Sequence, residues 1–276
     1  MVQNLARYAD WLDFGWNKIR LIFSHFIKDC LSYQFVKLAH RSCYKHSDSI
    51  YIATICHSWH NNRMRFDELL ATVSKQPLFE TGLLLAGAVD PTDVRRQLSR
   101  WVKAGRVIQL RRGLYSLAEP YQQTHPHPFL IANSLLPGSY ISLQSALAYY
   151  GLIPEYVAQT LSVTTQRPAH WRNALGDFRF QHLTLHLFFG YQQVNFVPGQ
   201  EAFIAFPEKA LLDLVHLTPH GDDPAYLAGL RLQNLERLDP QRLRALADRA
   251  GKPKWLRAAA RILTLTEKEA STYTTD

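Results

Sequence analysis

The residues DPTDVRRQLSRWVKAGRVIQLRRGLYSL, from Asp90 to Leu117, leave the backbone few options. Asp90 offers a carboxylate to the free N–H groups of a starting helix. Pro91 suits the first helical position, where no N–H is needed, and Asp93 lies near the positive end of the helix dipole. Gly105 ends that helix about four turns later, because glycine takes the left-handed backbone that a helix stop requires. RVIQL, RRG and LYSL then read as a strand, a tight turn in which Gly113 can supply positive φ, and a returning strand.

At about 100° per residue, Val94, Leu98, Trp101 and Val102 fall in one apolar arc of the helix. Arg95, Arg96, Ser99, Arg100 and Lys103 occupy the other side. The first set docks the helix; the second presents five polar groups, four of them cationic. A helix with a basic outer face fits the major groove of DNA, where arginine can bond both acceptors of a guanine edge while lysine and serine hold phosphates. Arg111 and Arg112 at the hairpin tip can reach the DNA backbone or the minor groove beside it. Ile108, Leu110, Tyr115 and Leu117 can face inward. A basic helix face is most often solvated surface, so the case for DNA rests on the conjunction. Residues 90 to 117 carry seven basic and two acidic side chains in a helix followed by a cationic hairpin.

Upstream, Phe66–Val73 and Phe79–Ala86 read as two short helices separated by SKQP, giving the order helix, helix, helix, hairpin. A second region begins near Pro120 with YQQTHPHP. It holds a capped helix from Ser142 to Tyr150 closed by Gly151, strand-like runs TLSVTT and FQHLTLHLFF, a helix PEKALLDLVHL led by Pro207, and helix from Pro240 to about Leu263. Strands and helices are mixed, so the class is α+β, with residues 64–119 as a front domain and 120–276 as a mixed α/β domain.

Residues 1–63 differ in character. They hold all three cysteines, five of the twelve histidines and half of the tryptophans, without regular period or Gly/Pro punctuation. One reading makes them a small metal module with Cys43/His46 and Cys56/His60 as ligand pairs, although neither pair has the usual Cys-x-x-Cys spacing. The other makes them an atypical extension upstream of a natural start at Met64. The cysteines are too few for a disulfide framework, and the start of the chain carries Asp10 and Asp13 where a secretory signal needs an apolar run. No apolar window of about 18 residues points to a membrane span, so a cytoplasmic protein is expected. A net charge of +8 favours an anionic partner.

Other chemistry finds little footing. His125 and His127 sit in a proline-punctuated loop, and His182 and His186 would share one strand face with no third ligand nearby. Asp177, Glu208 and Lys209 do not form a paired-carboxylate site, and Lys209 with Asp213 makes an ordinary i,i+4 pair. No phosphate loop or nucleophile elbow occurs. Neither catalysis nor a cofactor or metal is expected. Nine basic against three acidic residues between Arg231 and Arg261 offer a second nucleic-acid surface or a solvated helical face. Trp255 is expected to anchor the last helix in the core.

FETGLLLAG, VRRQLSRWVKAGRVIQLRRGLYSL, ISLQSALAYYGLIPE and FPEKALLDL, in this order, resemble the AbiEi-type antitoxins of abortive-infection (type IV) toxin–antitoxin systems. The resemblance covers about Met64 to Leu263 and not residues 1–63. It implies a winged helix-turn-helix at the front that binds double-stranded DNA at repeats in its own promoter. The DNA-contacting helix then maps to Pro91–Ala104 and the wing to Arg106–Leu117. It also implies a C-terminal domain that opposes a nucleotidyltransferase-like toxin without a stable complex. Two rivals stand beside it: a winged-helix regulator with no toxin partner, whose C-terminal domain senses a ligand or mediates assembly, and a nuclease targeted by the front domain.

Overall fold

The computed structural model describes residues 64–86 and 90–273, with side chains described as far as 268. Backbone contacts divide the chain between Asn62 and Arg63, and the described elements belong to the unit from Arg63 onward. The candidate ligands Cys43, His46, Cys56 and His60 lie outside the described residues. The described unit is a mixed α+β structure with one three-stranded and one six-stranded sheet.

Helix α1 (Phe66–Val73) starts where Glu68 accepts the backbone N–H of Arg65, and it buries Leu69 and Val73. The helix expected over 79–86 is a correction. Phe79–Glu80 is a strand, β1, and only Thr81–Leu84 is helical, α2. Phe79 pairs with Tyr115 and Glu80 with Leu114, and the Phe79 ring stacks on Tyr115 at 5.8 Å. Pairing with a distant strand outweighs the local pattern.

Helix α3 (Pro91–Lys103) forms as its caps require. Asp90 accepts the Thr92 N–H at 2.8 Å, and Gly105 takes φ of 68° beyond the last turn. Its apolar arc buries Val94, Leu98 and Trp101 against Leu69, Phe79 and Val107, with Val102 packed at the margin. Strands β2 (Val107–Arg111) and β3 (Leu114–Leu117) follow, joined at Gly113, and the sheet order is β1-β3-β2. The ladder shifts register between Gln109 and Arg111, a bulge that frees Leu110 to turn elsewhere.

That bulge matters for the whole unit. Val107, Tyr115 and Leu117 pack with α1 and α3, whereas Leu110 and Leu114 join the larger cluster of the following region. Ser116 donates to the Pro77 carbonyl at 3.0 Å and accepts from Gln122 at 2.9 Å. The expected boundary at 119/120 therefore lies between two hydrophobic clusters that share one hairpin, and no break in backbone contact falls there.

The larger region opens with α4 (Pro128–Leu135) and builds a sheet of order β6-β7-β5-β4-β9-β8. The strands are β4 (Ser139–Ile141), β5 (Thr160–Thr164), β6 (Ala169–Asn173), β7 (Gly176–His182), β8 (Tyr191–Val197) and β9 (Gln200–Ala205). β4 runs parallel to β9 and β5 to β7; the other pairs are antiparallel. Helices α5 (Leu143–Tyr149), α6 (Pro207–Leu217), α7 (Pro224–Gly229), α8 (Pro240–Ala250) and α9 (Pro253–Tyr273) complete it. In α6, every residue from Pro207 to Val215 is buried, with α5, α8 and α9 packed around it.

Two further expectations change. The run FQHLTLHLFF leaves its strand after His182 and makes a short 3-10 turn at Leu185–Leu187, so His182 and His186 do not share a strand face. The terminal helix is two helices, broken where Gly251 adopts φ of 60° and Pro253 follows. Among the described residues no helix is long and apolar enough to cross a membrane.

Candidate nucleic-acid interface

Helix α3 turns five expected side chains, Arg95, Arg96, Ser99, Arg100 and Lys103, to the surface, and all five are exposed. Buried Val94, Leu98 and Trp101 fix its rotation, so the outer arc cannot roll away. No acidic partner meets Arg95, Arg100 or Lys103 among the described residues. Arg96 donates to its own-helix neighbour Asp93 at 2.7 Å while its side chain stays 53% exposed. Such a surface pair is worth at most about 1 kcal/mol, little against a phosphate. Arg112 stands exposed beside Gly113 at the hairpin turn.

Arg111 is different. The side chain is only 28% exposed, and its guanidinium is spent on the protein itself. Nε and Nη2 both donate to the Ser134 carbonyl at 3.2 Å, Nη1 to the Arg112 carbonyl at 3.3 Å, and Nη2 reaches Glu80 at 3.4 Å. The guanidinium expected to reach DNA is thus engaged with Ser134, Arg112 and Glu80 in this structure. The bulge in β2 aims its side chain at the last turn of α4, where carbonyls lack helical partners. Sequence reasoning also passed over Arg106, an exposed cation of the same basic run just past the helix stop, whose guanidinium lies 5.1 Å over the Phe66 ring.

The basic residues of α8 and α9 are largely committed. Arg242 pairs with Glu208 and Asp239 and covers the Phe206 ring. Lys254 donates to the carbonyls of His216 and Thr218, Arg257 to Asp222 at 2.8 Å, and Arg249 lies 4.1 Å over Phe189. Trp255 is fully buried. This surface offers far less open charge than its composition promised.

The remaining candidates have local duties. Asp177 is gripped by Arg172 at 2.8 Å and His170 at 2.5 Å, and those two partners, Arg172 first, hold its carboxyl below the ordinary value. Buried Glu208 accepts the Asp239 N–H at 2.7 Å. His125 faces Glu119 at 3.7 Å; His127 caps α4 by accepting the Phe129 N–H, and burial lowers its pKa. No group of three or more His, Cys, Asp or Glu gathers to hold a metal among the described residues.

A comparison with protein families and with curated proteins finds no match to this chain. Among solved structures, a crystal structure of the RV2827C protein from Mycobacterium tuberculosis is similar at 17% identity and a TM-score of 0.42, over 72% of this chain and 80% of that one. At that distance the likeness carries no argument about function.

Proposed function

We propose that this protein is a DNA-binding transcriptional repressor of its own promoter and the antitoxin of a type IV pair, opposing a nucleotidyltransferase-like toxin. In this reading residues 64–119 are a winged helix-turn-helix, with α3 in the major groove and the β2–β3 hairpin as wing. One observation carries it. α3 is locked by a buried apolar arc while Arg95, Arg96, Ser99, Arg100 and Lys103 face outward, three of these cations unmatched by any acid among the described residues. That is the electrostatic footprint a duplex requires, on an element of the right width. Support for the antitoxin role comes from the four sequence blocks alone, which resemble AbiEi-type antitoxins.

Binding of the full chain to its upstream region, against a scrambled duplex and across salt concentrations, tests the DNA half. The R96A/R100A variant should lose affinity and sequence preference together, each good base contact being worth about 1–3 kcal/mol. Unchanged selectivity would remove α3 from the recognition role. Co-expression with the neighbouring reading frame tests the antitoxin half: the neighbour should arrest growth alone and not in the presence of this chain.

One observation favours the rival regulator that senses a ligand. A cleft of about 740 Å³ lies between the start of α4 and the loop after α5, lined by His127, Phe129, Tyr149, Tyr156 and Asp177 among others. A chain that represses its promoter but does not protect against the neighbour's product would decide for that rival.

A further inference from the structure

We propose that Arg111 is a positioning residue: it fixes the β2–β3 turn, and with it Arg112, to the body of the molecule through helix α4. The role rests on the DNA-binding reading above and specifies how that interface is held in register.

The hairpin meets the body in two ways. Leu110 and Leu114 enter the larger hydrophobic cluster, a contact that attracts but sets no direction. Arg111 supplies the direction. Its Nε and Nη2 converge on the one carbonyl of Ser134, while Nη1 closes on the carbonyl of Arg112 in the turn itself. A planar guanidinium ties both ends rigidly, which a lysine ammonium on a flexible stem does not do. The charge also makes these bonds about twice as strong as neutral ones.

The anchor at the far end is itself fixed. The Asn133 side chain accepts the Phe203 N–H of β9 at 2.6 Å. Gln200 at the start of β9 accepts the His127 N–H at 2.6 Å and donates to the His125 carbonyl at 2.8 Å. The Arg111 guanidinium thus completes an unbroken path from the six-stranded sheet through α4 to the exposed cation of the turn. Glu80, on β1, meets the same guanidinium at 3.4 Å and ties the front sheet into it.

A positioning role and a phosphate contact predict different behaviour for R111K, which keeps the charge and loses the fork. In the full chain, R111K and R111A should both weaken operator binding by about tenfold, with the salt dependence of binding unchanged. R112A should instead reduce the salt slope by about one phosphate. An R111K variant with wild-type affinity beside an R111A variant with a reduced slope would make Arg111 a backbone contact and overturn the proposal. A second readout needs no DNA. Amide exchange over residues 110–114 of the free R111K chain should quicken by about tenfold while α3 keeps its protection. Exchange as slow as in the parent chain would end the positioning role. The two readings separate cleanly: if R96A/R100A leaves binding untouched, the interface is misassigned, whereas the exchange experiment still judges Arg111.

Discussion

Lys209 holds an ammonium where no water reaches it. Its side chain and that of Asp213 are 0% exposed, and Nζ donates to Asp213 and, at 2.7 Å, to the Tyr140 hydroxyl. Asp213 also accepts from Tyr140 at 3.0 Å and from Ser142 at 2.8 Å, and the rings of Tyr140, Phe189 and Trp255 lie 5.2–5.6 Å from the ammonium. Burial pushes the Lys209 pKa down against the pull of Asp213, and burial first, then Asp213, raises Tyr140 well above the ordinary phenol. The i,i+4 spacing of the pair is legible in PEKALLDLVHL; its burial is not, because the helices that enclose α6 come from elsewhere in the chain. K209M should destabilise the fold by about 3–5 kcal/mol, since it strands a buried carboxylate, while K209M/D213L should recover most of that. Urea unfolding of the two variants decides, and a single variant as stable as the parent would show that Asp213 finds its own compensation. Two histidines add a pH effect. Burial is the main cause that holds His127 and His216 below the ordinary imidazole value of about 6.5. As pH falls through 6.5 the unfolded chain takes up protons that the folded chain refuses, so the stability present above that pH is lost below it. The urea midpoint should drop between about pH 7.5 and 5.5, and the drop should shrink in H127N/H216N.

Helix α3 and its hairpin were readable in advance because their determinants are local: a cap, a proline, a glycine stop and a glycine turn, each acting within a few residues. Asp90 illustrates the strength of such signals. D90A removes the acceptor for the Thr92 N–H and should lower stability by about 1 kcal/mol, measured by chemical denaturation. A loss below a few tenths would mean that water replaces the cap. β1 departs from the local pattern for the opposite reason. The segment from Phe79 has the apolar spacing of a helix, and only the far-off Tyr115 and Leu114 make it a strand. Arg111 shows the same limit, since the partner it meets in the structure, the Ser134 carbonyl, is 23 residues away and has no side-chain signature. The split at Gly251 was open to reading, because a left-handed glycine followed two residues on by proline is a helix stop in any context.

At the scale of the molecule the question is whether the front domain is a module or a part. The loop YQQTHPHP after Pro120 invites a cut there, yet the buried faces of β2 and β3 divide their leucines between the two clusters. Cutting the chain after residue 123 exposes Leu110 and Leu114, and each fully buried leucine contributes about 1.5–3 kcal/mol. A core of that size supplies only about 3–5 kcal/mol in total, so the two leucines alone account for most of it. The fragment also loses both bonds from Arg111 to Ser134. Residues 64–123 in isolation should therefore be largely unfolded at 25 °C, with Trp101 emitting as in water and little helical dichroism, whereas residues 64–276 should unfold in one cooperative step. Trp101 is the sole tryptophan of the fragment, so its emission reports on α3 without interference. A fragment that folds and binds the operator as tightly as the whole chain would make the C-terminal region a passenger. Loss of both properties together would mean that the proposed DNA-reading head and the body behind it share one folding unit, so that any event which loosens the body would also loosen binding to the operator.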